Sequence, residues 1–196
     1  MADQIRTFIA IELDQAHHRA LGDLQARFKR ERNARGVRWV APENIHLTLK
    51  FLGDVDAATV PALQRAVVDV CAGSAPFTLR IVGASAFPST QRPNVVWVGL
   101  SGEVERAALL AKQIDDACAA LGFAREERPF SPHLTLGRVK RDASPSDRRF
   151  IGEMIVNARV GDLGELRAER VIVMKSELRP GGSVYTRLAV AELGNQ

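Results

Sequence analysis

The chain reads Asn44-Ile45-His46-Leu47-Thr48-Leu49-Lys50-Phe51-Leu52 at the stretch that decides its fold, and the inner tetrapeptide recurs as His133-Leu134-Thr135-Leu136. Both copies consist mainly of apolar, β-prone residues. Side chains two positions apart on a strand point to the same face. We therefore expect each histidine to share one face with its threonine. The leucines, and Phe51 in the first copy, should fill the core on the other face.

Helical and β-type patterns alternate on both sides of these two strands. Strands separated by single helices, with short turns near one end of the chain, favour an α+β protein with largely antiparallel sheets. We predict two pseudo-symmetric lobes whose sheets face a central cleft, with helices on the outside, in a single bilobal domain over 1–196. Predicted strands cover 5–13, 37–40, 77–82, 95–100, 169–178 and 184–193. Predicted helices run from Asp14 to a basic end at 29–32, from Asp56 or Thr59 to 71, and over 103–121 and 145–157. Loops cover 84–94 and 123–130.

Smaller features of the pattern are also predicted. Asp14 should cap the first helix, which would leave His17 and His18 exposed on its surface. The first histidine strand should end at Gly53-Asp54, and Pro180-Gly181-Gly182 should join the last two strands. Cys71 and Cys118 lie in helical patterns without CxxC spacing, as buried reduced thiols do.

Composition narrows the classes of function. The chain has 196 residues and a net charge of +4, and its pI near 9.5 permits an anionic partner without requiring one. Its apolar runs are too short to span a membrane, and its N-terminus has no secretory signal pattern. We expect a cytoplasmic protein that does not bind membranes.

The repeated histidines point to proton transfer rather than to a metal. Zinc usually takes three or four His, Cys or carboxylate ligands, and neither tetrapeptide has an acid or a cysteine close by. The glycine-rich phosphate loops and the G-x-S-x-G turn are absent. Two imidazoles near neutral pH can act as acid and base on opposite sides of a phosphorus atom. Either histidine could take either role, and the threonine hydroxyls could donate to the non-bridging oxygens.

Further motifs, spread over almost the whole length of the chain, match those of a known family. The chain resembles the two-histidine phosphoesterase superfamily, and within it the RNA 2′,3′-cyclic phosphodiesterases, also called 2′-5′ RNA ligases. The matching stretches are 6–11, 46–53, Phe87-Pro88, 96–99, 130–138, Ser176-x-Leu178 and Gly182-x-x-Tyr185. No histidine or threonine of the paired motifs departs from the family pattern.

The resemblance implies a two-lobed fold with the site in the central cleft. It implies hydrolysis of a terminal 2′,3′-cyclic phosphate to a 2′-phosphomonoester without metal or other cofactor. It also implies the reverse reaction, which joins a cyclic phosphate to a 5′-hydroxyl as a 2′-5′ bond. By family assignment His46 is the proton donor and His133 the acceptor, and the partners are RNA ends or nucleotides that carry the cyclic phosphate.

Supporting roles follow from position and residue type. Thr48 and Thr135 are candidates for binding the substrate phosphate, and Arg138, further along the second strand, could add a cation to it. Phe8, Trp39 and Phe130 are candidates for stacking a base. Tyr185 has no assigned role.

Two other functions remain open on the sequence. One is a phosphodiesterase for small cyclic nucleotides or for 2′-5′ oligoadenylates. The other is a non-catalytic nucleotide-binding module, although pure binding would not need two proton carriers. For the RNA-end phosphodiesterase we expect a monomer.

Overall fold

The computed structural model describes residues 3–31, 34–180 and 182–194. Within them, four α-helices and nine strands alternate along the chain. The helices are α1 (Gln15–Lys29), α2 (Val60–Ala72), α3 (Val104–Ala120) and α4 (Pro145–Val156). The strands are β1 (Gln4–Glu12), β2 (Val37–Trp39), β3 (His46–Asp56), β4 (Phe77–Ser89), β5 (Arg92–Gly102), β6 (His133–Val139), β7 (Asp162–Ala168), β8 (Arg170–Arg179) and β9 (Gly182–Glu192).

Local sequence signals account for the ends of the helices. The Asp14 carboxylate accepts a hydrogen bond from the backbone N–H of His17 at 2.8 Å and so caps α1. Ser144 and Asp147 form a capping box at the start of α4. Gly122 follows α3 with φ of +89°, a conformation that glycine adopts without strain. The predicted helices are confirmed to within a few residues.

All the described strands belong to one antiparallel sheet, in the order β7-β4-β5-β6-β3-β1-β8-β9, with β2 paired to β6. The sheet consists of two four-stranded halves. We call β3-β1-β8-β9 the first half-sheet and β6-β5-β4-β7 the second. A single register pair, Leu47 with Leu134, joins them at the middle. The α+β class and the two pseudo-symmetric lobes are confirmed, and the two sheets prove to be continuous.

The helices cover one face of this sheet. α2 packs on β8 and β9, α3 on β3 and β4, α4 on β4 and β5, and α1 on β7. The main core lies between the helices and the sheet, and both motif leucines, Leu47 and Leu134, are buried in it. A second, small cluster of Phe8, Ala10, Ile172 and Met174 lies apart from it, on the opposite face, which we call the open face.

The structure corrects the predicted loop over 84–94. This segment is instead the end of a long β4–β5 hairpin, in which Pro88 and Pro93 are register partners. Proline cannot donate to a ladder, so its presence suggested a loop. Here β7 pairs with β4 only as far as Val82, and β6 pairs with β5 only as far as Val95. The two prolines therefore interrupt no further strand pairing.

Strand β7 was also missed, because its seven residues include Gly164 and three charged side chains. The predicted end of β3 at Gly53-Asp54 was wrong as well. Gly53 adopts φ of +74°, and the strand continues through it to Asp56. His17 is buried at 7% exposure rather than exposed. Gly181 of the predicted final turn lies outside the described residues.

Cys71 and Cys118 are confirmed as buried free thiols. Burial raises the pKa of Cys71 to about 12 and that of Cys118 to about 11. Thiols with such values stay protonated and unreactive near neutral pH. None of the helices in the described part of the chain is long and apolar enough to cross a membrane.

Candidate active site

The two His-Leu-Thr-Leu motifs lie on neighbouring strands at the centre of the sheet. Leu47 of β3 pairs with Leu134 of β6, and the strands run in opposite directions. His46 therefore lies on the side of Thr135, and His133 on the side of Thr48. Both histidines and both threonines are partly exposed, whereas the leucines between them are buried. The structure thus brings together the four residues that the sequence singled out, on the open face.

Each imidazole is held in the same way. Nδ1 of His46 lies 2.8 Å from the carbonyl oxygen of Asn44, and Nδ1 of His133 lies 2.7 Å from that of Ser131. A carbonyl oxygen can only accept, so each Nδ1 must carry the proton. In the neutral ring this leaves a lone pair on Nε2. Both Nε2 atoms are consequently available to exchange a proton with a ligand.

Aromatic rings surround both imidazoles. Phe8 stacks on His46 with ring centroids 4.6 Å apart, and Tyr185 meets the same imidazole edge-on at 5.4 Å. Phe87 lies edge-on to His133 at 4.9 Å, and Trp97 is 6.1 Å from it. These rings pack against the imidazoles and shield part of each from water.

Partial burial affects the protonation of both imidazoles. Burial is the largest influence on both histidines and lowers the pKa of each below its ordinary value. Nearby charges then act in opposite directions. The carboxylate of Glu12 favours protonated His46, whereas the Arg138 guanidinium disfavours protonation of His133. The two imidazoles therefore have unequal electrostatic surroundings, with a carboxylate beside His46 and a guanidinium near His133.

Glu12 is placed beside His46 by the sheet register, in which the two residues are partners across β1 and β3. Its carboxylate also binds Arg187 of β9 in a bidentate ion pair, with both N–O distances 2.8 Å. Sequence reasoning missed Glu12, since only the strand register shows which residue lies opposite His46. The family-pattern stretches included Phe87, Trp97 and Tyr185, but no pattern indicated that they surround the histidines.

A β-bulge follows each threonine and alters the expected alternation. In β3 the register shifts so that Ala10 pairs with Thr48 but Ile9 pairs with Lys50; in β6 the shift lies between Thr135 and Gly137. The bulge returns the residue five positions after each histidine to the open face. That residue is Phe51 in β3 and Arg138 in β6.

Phe51 is therefore 49% exposed, and the prediction that it fills the core was wrong. The guanidinium of Arg6 lies over its ring, 4.7 Å from the centroid. Arg138 is exposed on the same face as His133 and Thr135, where its charge acts on His133. Simple alternation would have directed Arg138 into the core, and the bulge is what brings it to the site.

The buried residue of each bulge is held by different contacts. Nζ of Lys50 binds the Asp115 carboxylate of α3 at 2.5 Å and the carbonyl oxygen of Ala124 at 2.8 Å. Its counterpart Gly137 packs against β2, where an added Cβ would lie 2.6 Å from Cγ1 of Val37. Both bulges are therefore anchored from the helical side of the sheet.

Among the described residues, no protein group hydrogen-bonds to the hydroxyl of Thr48 or Thr135. Within residues 3–31, 34–180 and 182–194, neither Thr48 nor Thr135 makes a side-chain hydrogen bond, and both are partly exposed. A hydroxyl on a sheet face without an internal acceptor is free to donate to a ligand oxygen. In the described part of the chain, no group of three or more His, Cys, Asp or Glu side chains is arranged to hold a metal ion.

The three aromatic residues suggested for base stacking do not present free faces at the site. Phe8 is 4% exposed beneath His46. Trp39 stacks on Phe28 with centroids 6.0 Å apart. Phe130 packs partly buried against the main core.

A family comparison agrees with this geometry. The model of the LigT-like phosphoesterases matches this chain twice, over residues 11–97 and 98–185, so that each match contains one His-Leu-Thr-Leu motif. The chain belongs to the LigT-like phosphoesterase family. The resemblance inferred from the sequence is thereby confirmed, and the two matches correspond to the two copies of the motif.

Individual LigT-like relatives resemble it over nearly the whole chain. An RNA 2′,3′-cyclic phosphodiesterase of Methanothermobacter thermautotrophicus is 35% identical over 190 residues, which is 97% of this chain and 100% of the relative. One of Archaeoglobus fulgidus is 31% identical, covering 96% and 100%. A crystal structure of a Thermus thermophilus protein superposes with a TM-score of 0.76 at 28% identity, covering 97% of this chain and 100% of its own. Escherichia coli LigT complexed with 3′-AMP gives 0.77 at 25% identity, covering 98% and 100%.

Proposed function

We propose that this protein is an RNA 2′,3′-cyclic phosphodiesterase, which hydrolyses a terminal 2′,3′-cyclic phosphate to a 2′-phosphomonoester. The observation that carries the proposal is the matched pair of histidines. Each donates Nδ1–H to a backbone carbonyl, which leaves Nε2 available, and shares a strand face with a threonine. The relatives named RNA 2′,3′-cyclic phosphodiesterase support the same assignment.

The reaction needs one proton removed and one supplied. His133, kept neutral by burial and by Arg138, takes a proton from a water molecule as its oxygen attacks phosphorus. The bond between phosphorus and the 3′ oxygen breaks on the opposite side. His46, whose protonated form is favoured by Glu12, gives its proton to that 3′ oxygen. The products are a 3′-hydroxyl and a 2′-phosphomonoester.

The negative charge on the phosphate must be stabilised throughout this displacement. We assign that role to the hydroxyls of Thr48 and Thr135, which donate to the non-bridging oxygens, and to Arg138, which adds a positive charge. Donors already fixed on strands need no rearrangement as the reaction proceeds. The same arrangement can accept a 5′-hydroxyl in place of water: this oxygen attacks phosphorus, the bond to the 3′ oxygen breaks, and the product is a 2′-5′ phosphodiester bond.

One copy of the chain contains both halves of this site. Each half-sheet supplies one histidine and one threonine, and the Leu47–Leu134 pair joins the halves directly. We therefore propose that residues 1–196 act as one bilobal unit, that a monomer is sufficient for catalysis, and that the enzyme acts on RNA ends in the cytoplasm.

The test is an activity panel for the wild type and the variants His46→Ala and His133→Ala. Substrates are an oligoribonucleotide ending in 2′,3′-cyclic phosphate, a 2′,3′-cyclic mononucleotide, a 3′,5′-cyclic mononucleotide and a 2′-5′ oligoadenylate, with product position determined by phosphorus NMR. We expect 2′-phosphate products and a loss of roughly 10²–10⁴-fold in each variant. The double variant should lose little more, because both histidines serve one step.

Thermal melting of each variant serves as the folding control. Near-normal turnover by a folded His46→Ala or His133→Ala protein would remove that residue from the mechanism. Cleavage of only the 3′,5′-cyclic nucleotide or of the oligoadenylate would overturn the substrate assignment.

A further inference from the structure

Two arginines lie directly opposite each other beside the candidate active site. Arg38 of β2 and Arg138 of β6 are register partners, and both are exposed. Val37 and Trp39, on either side of Arg38, turn toward the helical side, where Val37 belongs to the core. Arg38 therefore projects from the open face, as Arg138 does.

This arrangement is unfavourable for the protein alone. Like charges directly opposite each other in a ladder destabilise a sheet. Within the described residues, neither Arg38 nor Arg138 has a carboxylate partner or a side-chain hydrogen bond. The two guanidiniums therefore lie opposite each other across the ladder, and neither has an ion-pair partner among the described residues.

Both arginines lie beyond Thr135 on the sheet, and Arg38 is on the strand next to Arg138. Arg138 comes three residues after Thr135, a separation of at most about 10 Å along an extended strand. Such a distance is comparable to the length of one nucleotide. A cyclic phosphodiester carries a single negative charge, which Arg138 alone can balance. The second guanidinium calls for a second anion.

We infer that Arg38 binds the phosphate on the 5′ side of the nucleoside that carries the cyclic phosphate. An RNA strand supplies this anion as its last internucleotide phosphate, whereas a simple cyclic mononucleotide does not. Planar guanidiniums suit such a phosphate because they can donate two parallel hydrogen bonds. This inference rests on the proposed function and names its substrate class: the end of a polynucleotide.

The test compares two substrates that differ only in this phosphate, adenosine 2′,3′-cyclic phosphate with and without a 5′-phosphate. In the wild type at low salt we expect the 5′-phosphate to raise kcat/KM by about tenfold, the lower range for a hydrogen bond to a charged group. The Arg38→Gln variant should lose most of this advantage. Added salt should reduce it in the wild type, because exposed charges are screened. Arg65→Gln, on the exposed surface of α2, is the matched control and should retain the full advantage.

A binding measurement keeps the inference separate from the proposed activity. Calorimetry with adenosine 2′,5′-bisphosphate and with 2′-AMP should show the same Arg38-dependent gain even if neither cyclic substrate is cleaved. Absence of cleavage in the wild type would defeat only the proposed function. The inference would be overturned if the 5′-phosphate changed neither kcat/KM nor binding affinity in the wild type. It would also be overturned if the Arg38→Gln variant kept the full preference.

Discussion

Substitution of Thr48 and Thr135 can distinguish a role in phosphate binding from a role in strand packing. Valine has the β-branched shape of threonine but replaces the hydroxyl with a methyl group. In the described structure the hydroxyls of Thr48 and Thr135 bond no protein group, so their removal leaves no internal partner unsatisfied. We therefore expect Thr48→Val and Thr135→Val to melt within a few degrees of the wild type.

Activity should respond quite differently. A hydrogen bond to a charged group contributes about 1.5–3 kcal/mol. If that bond forms to the phosphate in the transition state, its loss lowers kcat/KM by roughly 10–100-fold, since about 1.4 kcal/mol corresponds to a factor of ten. Thr→Ser at either position keeps the donor and should retain most of the activity. Thr78→Val, on outer strand β4 beside β7, makes the same chemical change away from the site and should leave kcat/KM unchanged.

The assay is steady-state hydrolysis of a fluorescently labelled oligoribonucleotide that ends in a 2′,3′-cyclic phosphate, with melting curves recorded on the same preparations. Unchanged kcat/KM in both valine variants would refute the reasoning, and the phosphate would then be held by Arg138 or by backbone amides. Unfolding of either variant would show that the hydroxyl has a structural role that the geometry does not reveal.

Four further predictions concern charge and metal. Glu12→Gln removes the carboxylate that favours protonated His46, so the pKa of this acid should fall and the alkaline limb of the kcat/KM profile should move to lower pH. Arg187→Gln removes the cation that is paired with Glu12, so the carboxylate should favour protonated His46 more strongly and the alkaline limb should move to higher pH. Lys50→Met breaks a largely buried ion pair with Asp115, and urea denaturation should show a loss of about 3 kcal/mol. Activity should persist in EDTA, and metal analysis of purified protein should find no stoichiometric zinc; chelation that abolishes turnover, with recovery on adding metal, would contradict this.

The elements and the four central side chains could be predicted because their signals are local. Asp14 as a helix cap and the apolar stripe of α2 are readable within a few residues. The repeated tetrapeptide singled out the candidate catalytic pair for a similar reason, since period-two alternation fixes which face His46 and Thr48 share.

What sequence reasoning missed depends on contacts between distant strands. The bulges after Thr48 and Thr135 appear only in the pairing register, and they decide that Phe51 and Arg138 face outward. Glu12 becomes a neighbour of His46 only when β1 and β3 pair. The continuity of the two half-sheets likewise rests on one pair at the centre, which no local pattern encodes.

The near-twofold repetition of the sheet has a consequence for the direction of proton flow. Two equivalent strands alone cannot distinguish donor from acceptor, so polarity must be imposed by neighbours that break the symmetry. The position that matches Glu12 in the second half-sheet is Gly99, the register partner of His133. A Cβ at Gly99 would lie 3.0 Å from the carbonyl oxygen of Val82, so a larger residue fits only if this backbone shifts, and Glu12 has no matching carboxylate there. We therefore expect the direction of the proposed proton transfer to depend on this difference between Glu12 and Gly99.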